Sequence, residues 1–163
     1  MLVCGIDPGA NGAIAVLDST NPDSVALLDL KNNSIVNVHN WLIKELNYKP
    51  KLSKQCTFWI EDVHSLFGMS AKSNFGFGRN FGIALAIAKV GTSDGPIHQV
   101  TPKIWQKFAG VTAKGKDIKK QVAEIATRLY PTANVYGKRG GLLDGRSDAL
   151  MIAHYGLHNK ENT

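Results

Sequence analysis

The chain has 163 residues, 44% of them hydrophobic and 20% charged, which is the size and balance of one folded domain with a real core. No apolar run reaches the roughly 18 residues of a membrane span, and no basic segment leads into an apolar stretch and cleavage site, so neither a spanning helix nor a secretory signal is expected. The net charge of +6 favours a polyanionic partner, and the expected location is the cytoplasm of a bacterial or phage-infected cell.

Residues 2–6, LVCGI, form a continuous apolar run and predict a strand covered on both faces. GANG supplies a turn, and 12–18 predict a second strand. NPD at 21–23 predicts another turn, followed by a third strand over 24–30; three strands joined this closely predict an antiparallel meander. Over 34–47 a helix places Ile35, Val38, Leu42 and Leu46 on one face. TFWIE, 57–61, predicts a short strand ending at Glu61. The helix predicted over 70–90 carries Gly76, Gly78 and Gly82, which weaken it unless it packs closely on another element. IHQV, 97–100, predicts the fifth strand, and Thr101 then caps a helix that starts at Pro102.

Residues 116–130 predict a helix with Ile118, Val122, Ile125 and Leu129 inward and its lysines outward, ended by Pro131. A loop with GKRGG covers 133–143, and a last helix runs from about 145 to 157. The expectation is one α/β domain over 1–158 with a short tail at 159–163. Its core is a five-stranded mixed sheet, an antiparallel meander plus parallel strands, flanked by helices. Cys4 and Cys56 read as small buried residues of a reducing compartment, not a disulfide, and neither has zinc-like ligand spacing.

Asp7 ends an apolar strand and Glu61 ends another, while Asp144 and Asp148 stand one helical turn apart on one face of the last helix. Each has an ordinary reading: a Pro-Gly turn for Asp7, a solvated strand end for Glu61, a helix cap for Asp144 and a surface charge for Asp148. Their conjunction is harder to dismiss. Converging carboxylates repel and take up protons unless a cation sits among them. Oxygen-only ligands favour Mg²⁺ or Mn²⁺, and two such ions roughly 4 Å apart clamp the attacking and leaving oxygens of a phosphodiester.

Positive charge clusters at Lys103, Lys107, Lys114, Lys116, Lys119 and Lys120 against the lone acid Asp117, with Lys138, Arg139 and Arg146 further on, as a nucleic-acid backbone requires. The start of the helix after Gly115 suits a phosphate. There Lys116, with Lys119 beside it, is placed to stabilise charge developing at the scissile phosphate. For any single lysine the plainer reading is a solvated basic face. His39, His98 and His154 belong to no site pattern.

Four stretches together, GIDPGANGAIAVLD, WIEDVHSLFGMSAKSNFGFGRNFG, VTPKIWQKFAGV and DGRSDALMIAHYG, resemble the RuvC-type Holliday junction resolvases of the RNase H-like superfamily, most of all the phage and organellar variants. The resemblance implies an RNase H-like fold and a homodimer paired through the region of the 70–90 helix. It implies a Mg²⁺- or Mn²⁺-dependent endodeoxyribonuclease with two ions per subunit. Such an enzyme binds a four-way DNA junction and makes symmetric paired nicks that leave 5′-phosphates, in recombination and repair. Asp7, Glu61, Asp144 and Asp148 match the family's catalytic acids.

Two departures stand out. The last two acids are four residues apart where bacterial members have three, and His64, with Phe67 nearby, stands where they carry an aromatic at the junction core. The DNA-contacting set implied is His64, Phe67, Lys72, Arg79, Lys114, Lys116, Lys119, Lys138 and Arg139. Alternatives are a nuclease of the same fold acting on RNA–DNA hybrids, flaps or forks, and a branched-DNA-binding protein with weak or no catalysis. A sugar-kinase or actin-like ATPase also carries such a first loop but needs two domains.

Overall fold

The structure, a computed structural model, describes residues 1–46, 56–63, 68, 70–92 and 95–159. Its elements are β1 (Leu2–Ile6), β2 (Ala13–Asp18), β3 (Asn21–Asp29), α1 (Ile35–Glu45), β4 (Cys56–Glu61), α2 (Ala71–Thr92), β5 (Ile97–Val100), α3 (Pro102–Phe108), α4 (Asp117–Leu129) and α5 (Asp144–His158). The strands lie in the order β3-β2-β1-β4-β5. The first three pair antiparallel, and β4 and β5 extend the sheet parallel to β1. This is the expected mixed sheet. Parallel neighbours need long crossovers, and α1 and α2 supply them.

Strand alternation sorts the core into two layers. Cys4, Ile6, Ile14, Val16, Phe58 and Ile60 pack with Val38 and Leu42 of α1 and Ala84, Ile87 and Ala88 of α2. Val3, Ala15, Leu17 and Trp59 face the other way, onto Trp105 of α3, Val122 and Ile125 of α4 and Leu150 to Ala153 of α5. The α5 helix approaches β1 so closely that a Cβ on Gly5 would overlap the Ala149 carbonyl and the Ala153 amide. Cys4 and Cys56 are buried and free, with their Sγ atoms 3.5 Å apart across β1 and β4. No described helix is long and apolar enough to cross a membrane.

Several local expectations change. NPD is not a turn: β3 already begins at Asn21, and the reversal is made at Ser19–Thr20. There Asp18 Oδ1 accepts from both the amide and the hydroxyl of Thr20, at 2.9 and 2.8 Å. An aspartate closing a turn over its own backbone competes well with the turn preference of proline, and the sheet edge tolerates Pro22.

Ile35, the first residue of α1, is 56% exposed, and Val38 and Leu42 alone of the predicted face are buried within the helix. Leu129 is also exposed: α4 stops there, and Tyr130 turns inward instead, its hydroxyl 2.8 Å from His154 Nδ1. Gly76, Gly78 and Gly82 do not pack closely within this chain, since a Cβ on any of them would meet nothing within 4 Å; Gly91 alone on α2 abuts a neighbour, the Phe58 ring. Thr101 does sit at the start of α3, yet its side chain makes no capping bond, whereas Ser34 caps α1 through Asn37. Residues 160–163 of the expected tail lie outside the described residues.

Candidate carboxylate site

Residues 3, 5 and 7 of the first strand region alternate toward α5, as do 59 and 61 of β4. Ile6 pairs with Ile60 across β1 and β4, so Asp7 and Glu61 follow one residue later on adjacent strands at the same end of the sheet. The α5 helix brings Asp144 in its first turn and Asp148 one turn on. The sequence spacing therefore becomes a spatial cluster through one parallel pairing and one helix.

Electrostatics show that the four acids feel one another. Burial pushes the Asp7 carboxyl up to about 6; the Gly9 amide, 2.8 Å from Oδ1, opposes this, Asp144 raises it further and Lys119 lowers it. Burial first and Asp7 second push Glu61 up to about 7, opposed by the Trp105 indole, whose Nε1 donates to Oε1 at 2.9 Å. Asp148 is held well above the carboxylate range by burial, then by Asp7, Glu61 and Asp144. Lys119 ion-pairs with Asp144, which raises the lysine's own affinity for its proton, and Asp148 and Asp7 add to that. Excess negative charge buried at a strand end is the donor chemistry of a hard divalent cation. Among the described residues no three His, Cys, Asp or Glu side chains converge closely enough to hold an ion as they stand. An all-oxygen donor set suits a hard divalent cation rather than a softer one.

No family model matches the chain, and no curated protein matches it. Solved structures do. A RuvC from T. thermophilus in complex with a Holliday junction substrate superposes with a TM-score of 0.55 at 16% identity, covering 94% of this chain and 90% of that one. A second Thermus thermophilus RuvC structure gives 0.54 at 19% identity, with 96% and 95% covered. The fold is that of RuvC. The sheet is thus RNase H-like, as the sequence stretches implied. At this identity the likeness speaks for the fold, and the chemistry rests on the residues.

On this RuvC fold the remaining predicted residues divide by position. Lys119 reaches the acids. Lys116, at the start of α4, is exposed, as is Lys114 across Gly115, whose φ of 59° only glycine adopts readily. The loop before them is fastened by Gln121 Oε1, which accepts from the Thr112 and Ala113 amides at 2.9 and 2.7 Å. Lys138 and Arg139 are exposed in the loop before α5.

Lys72 and Arg79 are exposed on α2, and Arg79 lines a cleft of about 340 Å³ that reaches Pro8 and Gly9 beside Asp7. His64 and Phe67 lie outside the described residues. Sequence reasoning missed Trp105. Its only signal was a buried-type aromatic three residues into a helix that starts where the strand next to Glu61 ends.

Proposed function

We propose that this chain is a divalent-metal-dependent endodeoxyribonuclease that resolves four-way DNA junctions by paired symmetric nicks, leaving 5′-phosphates. The observation that carries the reading is the cluster of Asp7, Glu61, Asp144 and Asp148 at one sheet end, three of them held by burial above the usual carboxylate range. The RuvC neighbour bound to a junction supports the substrate class, and the lysines of α3 and α4 supply a surface for phosphates.

The four acids would hold Mg²⁺ or Mn²⁺, two ions per subunit. When bound, the ions supply the activation of water and the stabilisation of the departing 3′ oxygen. The protein's own contribution is positional. Gly9 fixes one oxygen of Asp7, Trp105 orients Glu61, and Lys119 pairs with Asp144 at the rim of the acids. Burial of Asp7 and partial burial of the other acids lower the local dielectric and strengthen the interactions among them.

The open glycine face of α2, with Phe75 77% and Val90 58% exposed, is the surface we assign to the homodimer. A two-fold axis there would match the symmetry of a junction. Lys72 and Arg79 on the same helix would then lie near the crossover, with Lys114, Lys138 and Arg139 on the arms. His64 and Phe67 keep the role at the junction core that the resemblance implies.

The test is cleavage of a synthetic four-way junction beside an RNA–DNA hybrid and a flap, with Mg²⁺ or Mn²⁺. Paired nicks at symmetric positions on the junction are expected. Equal or better cutting of the hybrid would overturn the assignment.

A second measurement separates the lysines. Lys119→Met removes the cation within reach of three acids and is expected to cut turnover roughly 100-fold with little change in junction affinity. Lys116→Met is expected to lower turnover more than affinity, by a smaller factor. A Lys116→Met protein whose salt-dependent binding changes while its turnover does not would make Lys116 a phosphate contact only.

A further inference from the structure

Between the two acids of α5 stands Arg146, which the proposed chemistry does not use. Its guanidinium forks onto Asp29: Nε donates to Oδ1 at 2.7 Å and one terminal nitrogen to Oδ2 at 2.8 Å. The other terminal nitrogen donates to the Asn134 carbonyl at 2.9 Å. The Arg146 and Asp29 side chains are only 20% and 37% exposed. Two residues along a helix is about 200° of rotation, so Arg146 leaves α5 on the side opposite Asp144 and Asp148.

What Arg146 grips is the frame that carries Asp7. Asp29 ends β3 and pairs with Ala13 of β2, and the Ala13 carbonyl accepts the Asp7 amide at 3.1 Å. A second contact locks the same turn of the helix: a Cβ on Gly145 would collide with the Asn11 carbonyl and lie 3.0 Å from Gly12 Cα. The first turn of α5 is thus bolted across the sheet end, from β3 through β2 to the residue that follows β1. A planar fork fixes orientation as well as distance, which a point charge does not.

We propose that Arg146, through Asp29, is a positioning residue that sets the rotation and depth of α5 so that Asp144 and Asp148 meet a divalent ion together with Asp7 and Glu61. This rests on the metal-dependent reading above.

The test is Mn²⁺ binding to the DNA-free protein, read from loss of the free-ion EPR signal, in wild type, Arg146→Gln, Arg146→Lys and Asp29→Asn. Arg146→Gln and Asp29→Asn are expected to weaken Mn²⁺ roughly 10- to 100-fold, and Arg146→Lys less, with junction affinity in EDTA within about threefold of wild type. The double variant Arg146→Gln/Asp29→Asn should lose no more than either single one. A folded Arg146→Gln protein with unchanged Mn²⁺ affinity overturns the proposal; if that variant fails to fold, unchanged affinity in both Arg146→Lys and Asp29→Asn does so. Wild type that binds Mn²⁺ but cuts no junction, with the variants weakened as expected, would refute the nuclease reading and leave this one standing. Wild type that binds no Mn²⁺ would refute both.

Discussion

Asp7→Asn is expected to abolish junction cleavage, by at least about 10³-fold, while junction binding stays within a few-fold of wild type. Removal of a carboxylate coupled to three others takes away a charge and, on the proposed reading, a metal ligand from the centre of the site. The exposed lysines proposed to contact phosphates are untouched.

The same substitution should stabilise the fold in EDTA, with a defined pH dependence. The Asp7 carboxyl has an ordinary value of 3.8 and is pushed up to about 6 by burial. Between those values the unfolded chain has shed a proton that the folded chain keeps, so this group's contribution falls as pH rises through the window. Above pH 6 the full cost of about 3 kcal/mol stands, worth roughly 6–12 °C in Tm. Asp7→Asn should therefore melt higher than wild type at pH 7.5, and the gap should close as pH falls toward the ordinary value. Saturating Mn²⁺ should reverse the order, because only wild type gains the binding energy. Scanning calorimetry of both proteins across pH, with and without the ion, checks each statement. A Tm gap independent of pH would mean that Asp7 carries no buried charge.

Gly5→Ala should be among the most damaging single-methyl changes in the molecule. The added carbon would overlap the backbone of α5 at Ala149 and Ala153 and lie 2.9 Å from Ala153 Cα. A side chain rotates away from such a contact, but backbone does not, so α5 must lift off β1. The cost is expected at about 3 kcal/mol, the upper end of overpacking, or roughly 6–12 °C in Tm. Because α5 carries Asp144 and Asp148, cleavage should fall well beyond what the loss of folded protein explains. Gly141→Ala, in the loop before α5, is the matched control. Its Cβ would meet nothing within 4 Å, and the lost freedom of the unfolded chain is worth roughly 0.4–1 kcal/mol. Denaturant melts of the two variants give the comparison. A Gly5→Ala protein within about 2 °C of wild type would show that the helix and strand do not approach so closely.

Much of this was legible before any fold was known. The apolar run LVCGI, the strand-ending positions of Asp7 and Glu61, and the one-turn spacing of Asp144 and Asp148 follow from periods of 2 and 3.6. What failed was local in origin. Asp18 makes the turn that the proline was expected to make, and Leu129 faces solvent because α4 ends there and Tyr130 takes the inward place. Both outcomes depend on hydrogen bonds with partners that periodicity does not see.

The amino-acid sequence by itself determined which residue types are on hand for the proposed chemistry: four carboxylates, a lysine-rich face, and no thiol or histidine group spaced for a softer metal. Only the tertiary structure decided which of them meet. The parallel β1–β4 pairing sets Glu61 beside Asp7, and Lys119, not Lys116, extends to Asp144. Trp105 and Arg146 gained their partners, Glu61 and Asp29, from across the fold. Those contacts span 44 and 117 residues of chain. A helix or strand period reports only a side chain's neighbours along its own element; distances that long are set by how the sheet is ordered and where α5 is pinned against it.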